Sequence, residues 1–195
     1  MKDGQSAFQS SPSQNAGDAA PPPLTIRPAV VADAAAMARV HVDTWRTTYP
    51  GIIADSHLAR LSYERSEKMW IEHLTNPGAE RAFVAVTPAG EVVGLASGGP
   101  IREPLEQWNA ELVVIYIRQA YQGSGCGRRL VTTVAQDLAS RGFQSLVIWV
   151  MKDNQSARGF YEKLGGRLTA EKPIRIGEED LLEVAYVWPE LKVFG

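Results

Sequence analysis

Residues 121–130 read Tyr-Gln-Gly-Ser-Gly-Cys-Gly-Arg-Arg-Leu. Gly123, Gly125 and Gly127 alternate with the small residues Ser124 and Cys126, between an apolar run at 112–117 and a helical pattern downstream. A backbone without bulky side chains at a strand-to-helix turn can bring its N–H groups close to an anion, and the helix dipole favours negative charge at that end. The stretch therefore reads as a phosphate cradle. It opens a helix running to residue 141, with Leu130, Val131, Val134 and Leu138 facing inward and Gly142 as C-cap.

Upstream, residues 1–23 are rich in Gln, Ser, Ala and Pro and have little to bury, so a disordered tail is expected before a single domain over 24–195. Residues 24–27 suit a short first strand ahead of Pro28. From Val31 the apolar positions Ala34, Ala35, Ala38, Val42 and Trp45 form a helical stripe that ends before Pro50-Gly51. A second helix is predicted over 55–74 on Leu58, Leu61, Met69 and Ile71, broken by Asn76-Pro77-Gly78. Strands at 82–86 and 91–96 flank the turn Thr87-Pro88-Ala89-Gly90. Gly98-Gly99-Pro100 ends that pair, and a polar loop at 102–109 leads to a strand at 111–117.

Downstream of the glycine helix, 146–150 is a near-continuous apolar run, as in a buried central strand. Asp153 or Asn154 can N-cap a helix whose Ala157, Phe160, Tyr161 and Leu164 share one face, and Gly165-Gly166 stops it. Two further strands, 167–171 and 183–188, flank a turn at 177–180. The order β, α, α, β, β, β, α, β, α, β, β predicts an α/β protein, a mixed sheet with helices on its faces.

Composition excludes several functions. With 195 residues, a formal net charge of -2 and a pI near 6.0, the chain has no general attraction for nucleic acid or an anionic membrane. Its single cysteine, Cys126, forms no internal disulfide, and one Cys with three scattered His makes no zinc cluster, so no metal is expected. No apolar run approaches the length of a membrane span, and a reducing cytoplasm is the expected location.

The loop also fails two nucleotide patterns. A Walker loop ends in Gly-Lys-Ser/Thr, whereas Arg128-Arg129 follow Gly127, and the dinucleotide fingerprint requires glycine where Arg128 stands. What fits Gln122-Gly123-Ser124-Gly125-Cys126-Gly127 is the Gln/Arg-x-x-Gly-x-Gly pattern of the GCN5-related N-acetyltransferases. Residues 154–165, Asn-Gln-Ser-Ala-Arg-Gly-Phe-Tyr-Glu-Lys-Leu-Gly, resemble that family's second signature, Asn-x-x-Ala-x-x-x-Tyr-x-x-x-Gly. Each follows a strand and opens a helix, and the resemblance in element order extends from residue 24 to about residue 188.

The resemblance implies transfer of an acetyl group from acetyl-CoA to a primary amine of a small molecule or protein, by direct attack and without an acyl-enzyme. The pyrophosphate would meet backbone N–H groups of Gln122, Gly123, Ser124, Gly125, Cys126, Gly127 and Arg128, with Arg128 adding charge. The pantetheine arm would run along Ile115, Tyr116 and Ile117 like an added strand. Tyr161 matches the tyrosine that protonates the departing thiolate, and Asn154 matches a pantetheine contact. Many relatives are homodimers. The alternative is a non-catalytic acyl-CoA-binding or sensing module.

Each assignment has a structural rival: a core aromatic for Tyr161, a helix cap for Asn154, and a small buried hydrophobe rather than a reactive thiol for Cys126. Some relatives carry a glutamate where Trp149 stands, so the general base is sought elsewhere, with Glu111 as candidate and a solvated strand-end acid as its rival. His41, Trp45 and Tyr49 are spaced i, i+4, i+8, giving either an acceptor wall built on Trp45 and Tyr49 or a core aromatic patch. Glu103 and Glu106 could draw in a cationic amine. Val30 stands where relatives often have a Thr or Ser cap, so Asp33 is expected to serve the first helix instead.

Overall fold

The computed structural model describes residues 23–105 and 107–194. Nearly all of the expected tail, and Glu106, lie outside the described residues. The strands are β1 (Thr25–Pro28), β2 (Arg81–Val86), β3 (Val92–Leu105), β4 (Trp108–Ile117), β5 (Leu146–Met151), β6 (Arg167–Ile176) and β7 (Glu179–Trp188). They form one sheet in the order β1-β2-β3-β4-β5-β7-β6, antiparallel throughout except at β4 and β5. The helices are α1 (Ala34–Thr48), α2 (Asp55–Ala59), α3 (Tyr63–Thr75), α4 (Cys126–Ser140) and α5 (Gln155–Lys163). The mixed α/β architecture expected from the sequence is the one observed. Among the described residues no helix is long and apolar enough to cross a membrane.

Alternation along the strands sends side chains to two cores. On one face Leu130, Val134 and Leu138 of α4 pack with Ile148, Tyr186 and Trp188. On the other, Met37 and Val40 of α1 and Trp70 of α3 cover Val84 and Leu95. Asp33 takes over the capping of the first helical segment. It accepts a hydrogen bond from the Val30 backbone at 2.9 Å and a bidentate pair from Arg27 at 2.7 and 2.8 Å.

Four expectations need correction. The helix predicted over 55–74 is two helices, because Ser62 caps α3 by accepting the Arg65 N–H at 3.3 Å. Trp70 is the large side chain that α3 buries, while Met69 and Ile71 are exposed. Of the expected α1 stripe, Ala35 is exposed, and Met37 and Val40 complete the buried face. The polar loop at 102–109 is instead the far end of a long β3–β4 hairpin. Its Ile101, Leu105 and Trp108 pack on Val147, Ala185 and Val187, burial that a solvated loop would forgo. Finally, β6 and β7 extend to a turn at Gly177, where φ is +62°, so their hairpin projects further than expected.

The central feature is the junction of β4 and β5. The strands share one parallel pair, Glu111 with Val147. Just below it, the Asn109 side chain accepts from the Ser145 hydroxyl at 3.1 Å, and the Ser145 hydroxyl oxygen accepts the Asn109 N–H at 3.0 Å. Just above it, Ser97 faces Val114 and Gly98 faces Leu112, so Val113 is an extra, bulged residue. A bulge adds twist and bends its strand. The two strands are thus knotted at one end and splay apart towards Ile117 and Met151.

Candidate active site

The splay opens a cavity of about 680 Å³. One wall is β4 from Val113 to Ile117, whose far edge has lost its strand partner above Glu111. The opposite wall comprises Ile148, Trp149, Val150 and Met151 of β5 and then α5, which contributes Phe160 and Tyr161. The glycine loop closes one end through Gln122, Gly123, Gly125, Gly127 and Arg128.

The glycines serve two different needs. Gly123 and Gly125 have φ of +73° and +84°, which side-chain-bearing residues rarely adopt, and Gly125 is the N-cap of α4. Gly127 has ordinary φ but no room: an added Cβ would lie 3.0 Å from Phe160 and 3.2 Å from Ile117. Its absence lets the first turn of α4 sit against β4 and α5, with its orphan N–H groups at the cavity end. Gln122 donates to the Ile117 carbonyl at 3.0 Å and the Ser124 hydroxyl to the Tyr121 carbonyl at 2.6 Å, which fixes the loop. Arg129 is spent on the Leu24 carbonyl at 2.8 Å, whereas Arg128 lies exposed at the cavity.

Ser124 and Cys126 do not line the cavity. Cys126 is buried in the core under α4, and burial pushes its thiol up to about 11, with Arg129 opposing weakly. It therefore stays protonated at neutral pH and acts as packing. Asn154 caps α5, accepting the Ala157 N–H at 3.1 Å, and also lines the cavity, where its side chain lies near the Tyr49 hydroxyl. Tyr161 is only 3 % exposed yet opens onto the cavity. Burial, and then the neighbouring Tyr49 and Tyr116, hold its phenol well above the ordinary tyrosine range, so it carries its proton throughout the physiological range.

Trp45 and Tyr49 line the other end of the cavity, their rings 5.0 Å apart, together with Ile53, Trp149, Ile174 and Ile176. His41 does not reach it. It stacks on Tyr116 at 4.7 Å and bonds Ser66 at 3.1 Å. The Trp45 indole N–H lies near the Tyr116 oxygen without meeting it in hydrogen-bond geometry, leaving a buried donor without a partner on the cavity wall.

Glu111 does not line the cavity. It is 2 % exposed and held by Arg102, whose guanidinium donates to it at 2.5 and 3.1 Å and whose backbone N–H donates at 3.2 Å. Arg102 itself does reach the cavity, as does Glu183 of β7, and no motif in the sequence marks either for the site. The one local signal for Glu183 was strand parity. It shares a face with Ala185 and Val187, and only pairing with Met151 and Lys172 shows where that face lies.

The cavity thus lies at the split of a mixed sheet, with the glycine loop at one end. Residues 39–166 match the acetyltransferase (GNAT) family, and the chain belongs to that family. It is 38% identical over 168 residues to the uncharacterized N-acetyltransferase YuaI of Bacillus subtilis, covering 86% of this chain and 94% of that protein. In fold it resembles the PaiA N-acetyltransferase of Thermoplasma acidophilum in complex with coenzyme A, with TM-score 0.67, 18% identity, and coverage of 83% of this chain and 98% of that one. It also resembles YncA of Salmonella typhimurium with acetyl-CoA, with TM-score 0.63, 22% identity, and coverage of 86% and 94%.

Proposed function

We propose that residues 24–195 form one N-acetyltransferase domain that moves the acetyl group of acetyl-CoA directly to a primary amine. One observation carries this reading: in a member of the acetyltransferase family, a single cavity joins a glycine-lined helix start, an unpaired strand edge and a protonated, buried tyrosine. Relatives of the same fold bind CoA or acetyl-CoA, which supports the choice of donor.

In this reading the N–H groups at the start of α4, with Arg128, hold the pyrophosphate. The free edge of Ile115, Tyr116 and Ile117 pairs with the pantetheine amides, and the Asn154 side chain bonds them from the other wall. The acetyl carbonyl then lies near the bulge at Val113. The amine nitrogen forms the new C–N bond as the C–S bond breaks, and Tyr161 gives its proton to the leaving sulfur, recovering one from the attacking nitrogen through solvent. The cysteine takes no part.

Thiol release from acetyl-CoA in the presence of a panel of primary amines tests the reading. Amine-dependent release is expected, and Tyr161→Phe should lower kcat by about 10²-fold or more while leaving acetyl-CoA affinity by calorimetry unchanged. Binding of acetyl-CoA with no release for any amine would instead assign the chain as a non-catalytic acyl-CoA-binding module.

A further inference from the structure

Among the described residues that line the cavity, Glu183 is the only carboxylate. It stands on β7 opposite Met151, at the end of β5 from which β4 has diverged, and its side chain is 12% exposed. The cavity wall at this end carries Trp45, Tyr49, Ile53, Trp149, Ile174 and Ile176, with Arg102 as its cation. We propose that Glu183 binds the ammonium of the acceptor and takes its proton, and that the acceptor is a primary amine with one positive charge carried on an apolar or aromatic body. This inference rests on the acetyltransferase reading and assigns the acceptor end of the same cavity.

The chemistry balances without another reactant. An alkylammonium binds beside Glu183 and transfers one proton to its carboxylate, leaving a neutral amine whose lone pair forms the C–N bond. The nitrogen's second proton replaces the one that Tyr161 gives to sulfur, and Glu183 releases its own to solvent. Four charged groups face Glu183: Lys172 of β6 at 3.3 Å, Glu103 and Arg102 of β3, and Glu111 of β4. Burial raises its pKa from the ordinary carboxylate value. Lys172 draws it back down, and Glu103 and Glu111 raise it further. A carboxylate so placed is a better proton acceptor than a solvated one.

Lys172 is the positioning residue. Its ammonium lies 4.3 Å from the centre of the Trp149 ring and bonds Glu103 at 2.5 Å as well as Glu183. It orients the carboxylate and lowers the pH at which it ionises, against the larger effect of burial. The apolar lining decides the acceptor class, because with one carboxylate, already shared with Lys172, the cavity offers a polyamine no second anion.

The test uses the full chain with 2-phenylethylamine, n-hexylamine, spermidine and a lysine-containing peptide as acceptors. The first two should give the highest kcat/KM, rising with pH along an acid limb. Glu183→Gln should lower kcat/KM on the order of 10²-fold and abolish that limb, with acetyl-CoA affinity unchanged. Lys172→Met should move the limb to higher pH, an effect that mere loss of structure would not produce. The proposal is overturned if spermidine or the peptide is preferred, if none of the four is acetylated although acetyl-CoA binds, or if both variants keep the wild-type pH profile. Failure of the wild type to bind acetyl-CoA would sink the transferase reading itself, which calorimetry separates from these outcomes.

Discussion

His41 is a half-buried imidazole stacked on Tyr116 with the rings 4° from parallel, hydrogen-bonded to Ser66 and lowered by burial to about 4 from 6.5. Between those values the unfolded chain binds a proton that the folded chain refuses. Stability is therefore fully present above about pH 6.5 and lost as pH falls towards 4, by up to about 3 kcal/mol. Subtracting the denaturant-midpoint curve of His41→Phe from that of the wild type should isolate this loss, because Asp33, held low chiefly by Arg27, is common to both. A flat difference curve would show that the ring is hydrated in the native state. Residue-level roles were legible where a local rule applied. The sequence marks Asp33 as the substitute for the missing cap at Val30 and narrows the cap of α5 to Asp153 or Asn154, of which the structure uses Asn154. Glu111 and Glu183 were not separable in that way. Both begin predicted strands, and only the register of β4, β5 and β7 buries one against Arg102 and turns the other into the cavity.

At the scale of elements, the glycines that end helices also set how closely helices approach the sheet. Gly166 follows α5, and a Cβ there would lie 2.7 Å from the Trp188 ring and 3.0 Å from the Tyr161 carbonyl. Gly166→Ala should therefore cost about 1–3 kcal/mol by overpacking, a fall in Tm of roughly 2–12 °C for a chain of this size. Gly159, inside α5 with nothing within 4 Å of an added Cβ, is the control, and Gly159→Ala should raise stability by about 0.5–1 kcal/mol. Equal melting shifts for the two would contradict the packing argument. The same view explains which elements were legible. The helices α4 and α5 follow their signatures because each begins at a local stop and buries a regular stripe. The β3–β4 hairpin did not, since Gly98-Gly99-Pro100 reads as a terminator. In the structure Gly98 lies there because Val134 and the Glu111 carbonyl leave no room for a side chain. That is a contact between distant segments, invisible in a local window.

For the whole molecule, the two bodies of the sheet, β1–β4 and β5–β7, share one backbone pair and the Asn109–Ser145 knot, while α4 and the β3–β4 hairpin pack across both. A second junction closes the far side, where Glu179 on β7 accepts the Ala54 N–H at 2.7 Å and ties β7 to the α1–α2 connection. A donor that wedges between the splayed strands touches both bodies, so its binding free energy adds to the cohesion of the sheet rather than to one helix. Acetyl-CoA at about one hundred times its Kd should add about 2.7 kcal/mol, or roughly 5–11 °C in Tm. Amide exchange should slow selectively at residues 113–117 of β4, whose edge would gain partners, and at the start of α4. The β1–β2 pair already has its partners and should change only through global stability. Slowed exchange confined to β1 and β2, or a Tm that does not respond to the ligand, would show that the donor does not occupy the split, and the assignment of that cavity would have to be abandoned.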